Sequence, residues 1–317
     1  MCLAQVCKSP INYTGNKYRI LPQFIKYFPK NVNKCMDLFT GGATVAINLI
    51  ASEVIAIDSN PRVINLLKFL KKQDYYKLIN KIDKTIEKYK LSNSYKNGYS
   101  YYKKYVEGNN GLKKYNIEGF SKLKKDYNDL KNKNTDKANL YLYLLMVYAF
   151  NNDIRFNAKG EFNLPVGKTD MNKNNRDKLK KYIDMCNYKR IEFICKDFRK
   201  INIKEFNDIE FVYADPPYLI TDAVYNENNG WGKKEEIALL NMLDELNNMG
   251  IKFALSNVLQ KKKLNIKNEI LYKWLEENKE KYFINKIEYH YKSASYNKKD
   301  RDGLEEEILI TNYKVEE

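Results

Sequence analysis

Short apolar strands alternate with helical runs in two separate stretches of this chain, and that interrupted alternation constrains its fold more than any other feature. In the first stretch an apolar-leaning run from Val32 leads to Asp37, and Val54-Ile55-Ala56-Ile57 follows as a second strand. The second stretch carries strands over 191–195, 211–214 and 252–255, with a helix from about 234 to 249 that Gly250 closes. Between the two, from about residue 71 to 137, Lys, Asn and Tyr dominate, and Ile79, Ile82 and Ile86 recur at helical spacing. The pattern predicts an α/β sheet in two parts, 1–70 and 176–317, interrupted by a mostly helical module over 71–175. Residues 287–291 and 308–312 flank a polar loop and predict a closing antiparallel hairpin.

Composition removes several kinds of chemistry. His290 is the only imidazole, so histidine-based triads, two-histidine nucleases and histidine zinc sites lack their parts. Cys2, Cys7, Cys35, Cys186 and Cys195 are odd in number and never spaced as a metal knuckle; they predict reduced thiols, a cytoplasmic protein and no metal. No apolar run approaches the ~20 residues of a membrane span, and the first ten residues lack a basic segment followed by an apolar block. A soluble, unexported protein with no membrane contact is the expectation. Fifty-six Lys+Arg against 40 Asp+Glu give a net charge of +16, which suits a polyanionic partner. The same chain over-uses Lys, Asn, Ile, Tyr and Phe together, as adenine- and thymine-rich codons would produce, so charge alone does not decide.

Asp37-Leu38-Phe39-Thr40-Gly41-Gly42 precedes a helix-period run through Val45, Ile47 and Leu49. Glycines at a strand-to-helix turn let a ligand approach backbone N–H groups, although a lone Gly-Gly is equally an ordinary tight turn. Asp58, closing the next strand, stands where nucleotide-binding α/β folds bind ribose hydroxyls. It also reads as a cap for the helix that begins near Pro61. The Gly-x-Gly-x-x-Gly fingerprint is missing, which favours an adenosine-bearing cofactor other than a nicotinamide dinucleotide.

Phe211-Val212-Tyr213-Ala214 delivers Asp215-Pro216-Pro217-Tyr218 at the strand's carboxyl edge. Prolines fix φ and donate no N–H, so Asp215 and the Pro216 carbonyl form a rigid pair of acceptors. An exocyclic amine on an aromatic base is a natural guest for that pair, with Tyr218 stacking on the base. The plain alternative is a proline-rich loop after a strand.

These motifs together resemble the Dam-type, α-class DNA adenine-N6 methyltransferases, in the form found in the T-even phages, over nearly the whole chain. Tyr13-Thr14-Gly15-Asn16-Lys17 is similar to the family's N-terminal cofactor motif, and residues 37–42 to its methionine-side loop. Asp58 matches the ribose acid, Asp197-Phe198 the pair that receives the cofactor's adenine, and Asp215-Pro216-Pro217-Tyr218 the catalytic tetrapeptide, continued by Leu219-Ile220-Thr221. Arg155-Phe156-Asn157 with residues 160–167 matches the end of the target-recognition segment, and Ser256-Asn257-Val258 also fits. The resemblance implies a Rossmann-like S-adenosylmethionine-dependent methyltransferase sheet with an inserted target-recognition domain. It implies S-adenosylmethionine as cofactor and S-adenosylhomocysteine as product, bound by Tyr13, Thr14, Gly15, Lys17, Asp37, Phe39, Gly41, Gly42, Asp58, Asp197, Phe198 and Asp215. Catalysis on an adenine flipped out of double-stranded DNA would fall to Asp215, Pro216, Pro217 and Tyr218.

By the same resemblance Phe150, Asn151, Asp153, Arg155, Asn157, Pro165 and Lys168 contact DNA. Phe150 would wedge into the space left by the flipped adenine, or else end the apolar helix over 140–147 as a core residue. Arg155 would read a guanine, or make a surface ion pair or phosphate contact. Lys17, Lys168 and Arg190 suit phosphate or cofactor rather than a base. Asp153 and Thr169 depart from relatives that recognise GATC, which leaves GATC and a related adenine-containing site both open. A cognate restriction endonuclease is a possible partner, and a monomer suffices for the chemistry. The competing readings are an RNA adenine-N6 methyltransferase, since the tetrapeptide does not distinguish the polymers, and a catalytically silent DNA-binding regulator of the same fold.

Overall fold

The computed structural model describes residues 6–106, 108–206, 208–220, 231–261, 266–287 and 305–315. Cys2, Thr221, His290 and most of the first arm of the expected hairpin fall outside them. The chain divides into two compact units: residues 1–16, 41–48 and 60–193 form one, and 17–40, 49–59 and 194–317 the other.

The second unit holds the sheet. Its strands are β1 (Lys34–Asp37), β2 (Glu53–Asp58), β3 (Arg190–Cys195, which straddles the boundary between units), β4 (Phe211–Ala214), β5 (Lys252–Lys261), β6 (Ile266–Lys267), β7 (Phe283–Lys286) and β8 (Glu305–Thr311). They lie in the order β3-β2-β1-β4-β5-β8-β7, with the short β6 paired to β5. The β2-β1-β4-β5 ladders are parallel, whereas β8 pairs antiparallel with both β5 and β7. β4 is buried along its whole length, as a parallel strand covered on both faces must be. An antiparallel pair of β7 and β8 closes the sheet, with β7 lying wholly before residues 287–291, of which only 287 is among the described residues. Helix α8 (Lys233–Asn248) follows the expected span: the Glu235 carboxylate accepts the Gly232 N–H at 3.0 Å, and Gly250 turns out at φ +74°. α8 and α9 (Glu269–Glu277) cover the sheet with Leu239, Leu243, Leu271 and Trp274, packed on Met36, Val212, Phe253 and Ile310.

The first unit is helical: α2 (Pro61–Lys71), α3 (Tyr75–Lys88), α4 (Ser94–Asn97), α5 (Lys113–Asn128), α6 (Asp136–Tyr148) and α7 (Lys173–Tyr188). α2 and α7 flank the expected 71–175 segment and pack with it. Asn60, rather than Asp58, caps α2, its Oδ1 accepting Arg62 N–H at 3.1 Å and Val63 N–H at 3.4 Å, with Pro61 in the first turn. α6 is buried on nearly every face, from Tyr141 to Tyr148. The stretch expected as a helix after Gly42 is a succession of turns. Ala43 sits at φ +63°, Ile47 and Asn48 N–H bond back four and three residues, and the Asn48 amide takes the Thr44 and Cys7 carbonyls at 2.7 and 2.8 Å. The bond to Thr44 satisfies a carbonyl that a regular helix would have given to a backbone N–H.

Candidate active site and recognition segment

The sheet of the second unit reverses its direction of growth at β1 and β4, the place where ligands of open α/β sheets bind outside the strands' carboxyl ends. Asp37 ends β1, and Asp215 directly follows β4. Asp37 is 1% exposed and accepts the Thr40 hydroxyl at 2.9 Å. The Leu38 N–H bonds the Tyr213 carbonyl at 2.9 Å and the Thr40 N–H the Ile57 carbonyl at 2.7 Å, so neighbouring strands hold this turn.

Around Asp215 the side chains form a charged cluster. Lys17, only 4% exposed, places Nζ 2.9 Å from Asp215 Oδ1 and 3.4 Å from Glu307 Oε1. The Tyr218 hydroxyl lies 3.2 Å from the same Asp215 oxygen, 2.9 Å from Glu307 Oε1 and 2.8 Å from Ser256 Oγ. Among the described residues both close contacts to Asp215 fall on Oδ1, so Oδ2 is open to a further donor. Burial, aided by the Glu307 charge, pushes the Asp215 carboxyl up to about 6 against the pull of Lys17 and of the Tyr218 hydroxyl. Pro216 is buried and Pro217 half-buried, which fixes the backbone that carries the pair. An ammonium as enclosed as Lys17 is an internal ion-pair partner and does not suit a phosphate contact.

Three aromatic rings gather in the same unit. Phe39 and Phe198 have centroids 5.2 Å apart, and Trp231 meets them at 5.6 and 5.5 Å. The Trp231 indole N–H donates to buried Glu236 at 2.8 Å. Asp58 is half-buried at the end of β2, its carbonyl accepting Lys196 N–H at 3.1 Å. Ring faces with a strand-end carboxylate suit an adenosine. Asp197 has a second employment: it caps a short 3-10 turn and takes Arg199 Nε and Nη2 on its two oxygens, and that guanidinium holds its carboxyl below the usual range.

In the first unit the N-terminal motif packs on the glycine turn. A Cβ on Gly42 would lie 2.9 Å from the Ile11 carbonyl, and one on Gly41, itself at φ +46°, 2.9 Å from the Tyr13 ring. The chain's own backbone therefore requires these glycines. Thr14 and Gly15 are exposed next to them, with Gly15 at φ +81°.

The recognition segment follows α6 in the same unit. Phe150 is 48% exposed, which excludes the core reading of this ring. Its N–H donates to the Pro165 carbonyl at 2.9 Å, and Ala149 bridges to Val166 as Phe156 does to Phe162, making a narrow antiparallel loop. Asn151 and Asn152 both adopt positive φ, at +57° and +53°. Arg155 is exposed, with Nε donating to Asn163 Oδ1 at 2.9 Å. Lys168 and Pro165 are exposed as well. Asn157 is spent inside the turn, on Lys159 and Glu161 N–H and on the Glu161 carboxylate. Asp153 accepts the Thr14 hydroxyl at 3.2 Å and Ile154 N–H at 2.8 Å, and burial raises its carboxyl. The Asn12 amide holds the Asn151 carbonyl at 2.8 Å, and Thr169 is bonded to Asn152.

Sequence reasoning missed two residues here. Arg62 spans the first unit, over the Phe156 ring at 4.5 Å and bonded to the Gly160 carbonyl at 2.8 Å; only its place in a capped helix was legible. Glu307 stands in an acidic run before an apolar strand, a pattern identical to a solvated strand end. Among the described residues no group of three or more His, Cys, Asp or Glu is arranged to hold a metal ion, and no helix is long and apolar enough to cross a membrane.

Residues 13–297 match the D12 class N6 adenine-specific DNA methyltransferase family. The chain is 36% identical over 312 residues to the Type II methyltransferase M.FokI of Planomicrobium okeanokoites, covering 96% of this chain and 43% of that protein. It is 32% identical over 314 residues to the modification methylase StsI of Streptococcus sanguinis, covering 97% and 43%. To the DNA adenine methylase of Haemophilus influenzae it is 26% identical over 212 residues, covering 66% and 63%. The chain thus spans less than half the length of the first two relatives.

Proposed function

Because this chain belongs to the D12 class N6 adenine-specific DNA methyltransferases, we propose that it methylates the N6 amine of an adenine in a short duplex site, GATC or a related sequence. Methyltransferases in general draw on S-adenosylmethionine, and the rings of Phe39 and Phe198 with the Asp58 carboxylate suit its adenosine. That cofactor supplies an electrophilic sulfonium methyl and leaves as S-adenosylhomocysteine.

The observation that carries the reading is the division of labour at Asp215. Among the described residues Lys17 and Tyr218 engage Oδ1, so Oδ2 can accept one N–H of an exocyclic amine, and in this reading the Pro216 carbonyl accepts the other. Accepting both hydrogens turns the nitrogen lone pair out of conjugation with the ring. Since such an amine is stacked and paired inside a duplex, the base must leave the helix to reach Asp215. The remaining contribution is positioning and preorganised charge.

Exposed Phe150 suits the space a flipped base vacates, and exposed Arg155 suits the O6 and N7 acceptors of a guanine. In this reading the module over 71–175 selects the site, and 1–70 with 176–317 performs the transfer. Likeness to a Type II methyltransferase and a modification methylase favours a role as the modification partner of a restriction endonuclease.

The test is incubation of the purified protein with methyl-labelled S-adenosylmethionine and duplex DNA, followed by nucleoside analysis and single-molecule mapping of modified adenines. N6-methyladenine at one short motif is the expected result. Label in RNA alone, or in cytosine, overturns the proposal.

A further inference from the structure

Lys17 poses a problem for an acceptor such as Asp215. A buried ammonium 2.9 Å from the carboxylate forms a neutral pair with it, and Tyr218 is close enough to donate to the same oxygen. A carboxylate so occupied is a weak acceptor, and a neutral pair does little for an amine that gains positive charge as it takes a methyl group. Glu307 changes that balance. It lies on β8 with its side chain 2% exposed, and its Oε1 draws Lys17 at 3.4 Å, Tyr218 at 2.9 Å and Ser256 at 3.3 Å. Tyr218 has a single hydroxyl proton, and its contact with Glu307 is shorter than its 3.2 Å contact with Asp215. Glu307 thus sets a second carboxylate beside the pair that Lys17 makes with Asp215.

We propose that Glu307 is the positioning residue of this site: it draws Lys17 and Tyr218 partly away from Asp215 and supplies the negative charge that Lys17 would otherwise cancel. Glu307 touches no reacting atom in this scheme and acts through Lys17 and Tyr218. The same contacts fix the Tyr218 ring at its hydroxyl end, with Lys17 Nζ 4.8 Å from the ring centroid. The inference rests on the methyl-transfer reading for its catalytic consequence only, because the electrostatic part is a property of the free protein.

Among the described residues the groups that face Asp215 are Lys17, Glu307, Tyr218 and the buried Tyr213. Since Glu307 raises the Asp215 carboxyl and Lys17 lowers it, the two neutral replacements move its titration in opposite directions. The measurement is carbon-13 NMR of aspartate-labelled free protein, with the Asp215 resonance assigned by its loss in Asp215→Asn. Glu307→Gln is expected to lower the Asp215 midpoint by about half a pH unit or more, and Lys17→Gln to raise it by a similar amount. An unmoved midpoint in Glu307→Gln overturns the proposal, as does a midpoint in Lys17→Gln at or below that of the unaltered protein. The second variant keeps the test decisive if the first does not fold.

Single-turnover methylation adds the catalytic arm. Glu307→Gln is expected to slow transfer at least about tenfold with DNA affinity unchanged, and Glu307→Asp, which keeps the charge, to recover most of the rate. A Glu307→Gln protein as fast as the unaltered enzyme sinks the catalytic role. Absence of adenine methylation by the unaltered enzyme would instead count against the proposed function and leave the titration result standing.

Discussion

The Asp215 cluster and the loop that carries Phe150 and Arg155 are built on opposite principles. At Asp215 three side chains from three distant stretches of sequence, Lys17, Tyr218 and Ser256, converge on the carboxylates of Asp215 and Glu307, and the backbone is held between parallel strands. Many contacts determine each atom, so the geometry is preorganised and its charges are poorly hydrated. The 149–169 loop instead satisfies itself locally: Asn157, Asn152 and Asp153 bond to residues of their own turn or to Thr14, and the chain passes through two positive-φ asparagines. What remains exposed there, Phe150 and Arg155, stands on a braced but thin scaffold. Under the proposed function one region serves chemistry at a fixed point and the other meets a surface, and substitutions should separate the two.

The sharpest separation is in rate against binding. Asp215→Asn keeps the shape but loses the charge, and is expected to lower single-turnover methylation by about 10³-fold or more while duplex affinity stays within a few-fold. Equal losses in rate and affinity would erase the distinction between the regions.

The same substitution tests how the cluster is maintained. Burial has raised the Asp215 carboxyl to about 6 in the folded chain. The folded protein therefore holds this proton more tightly than the unfolded one, and the stability linked to it is present below about pH 4 and lost as pH rises through 6. Asp215→Asn removes that loss, so the variant is expected to exceed the unaltered protein in stability at pH 8 by of order 1–3 kcal/mol, with the gap closing toward pH 4. Thermal melts at the two pH values decide it. Methylation by the unaltered enzyme should fall along an acid limb centred near pH 6, since only the carboxylate accepts the amine.

Arg155→Ala addresses the other region. Without its guanidinium, discrimination at one base position is expected to fall by about 10- to 100-fold, with transfer at the best site slowed far less. Competition between substrates that differ at single positions measures this. Uniform weakening across all sequences would make Arg155 a phosphate contact instead.

Legibility in the sequence followed the same divide. Strands β1, β2 and β4 and helix α8 were readable because local periodicity and caps define them, and the acids that end β1 and β2 and directly follow β4 came with them. Glu307 was not, because only the pairing of β8 between β5 and β7 brings an acid so far along the chain beneath Asp215. Asp58 as a helix cap failed for a smaller reason: Asn60, two residues on, has the same acceptor and directly precedes Pro61. Phe150 could be read either way from an apolar run, and only the turn at Ala149 carries the ring out of the helix's buried face.

Asp153 is where the contrast between the regions is narrowest, and its replacement should have the smallest effect. Its position in the loop suggests a base contact, yet its oxygens already hold the Thr14 hydroxyl and Ile154 N–H, and burial has raised its carboxyl. A group in that state behaves like part of the cluster at Asp215 in miniature, bracing the loop against the N-terminal motif of its own unit. Asn retains an acceptor for one of the two bonds, so Asp153→Asn is expected to cost no more than about 1 kcal/mol in stability and to change the rate by less than about threefold. If Asp153 braces, motif mapping of the variant returns the unaltered site. A changed base preference at one position with unchanged stability would show instead that the carboxylate leaves Thr14 to meet DNA, making this loop a reader that rearranges on contact.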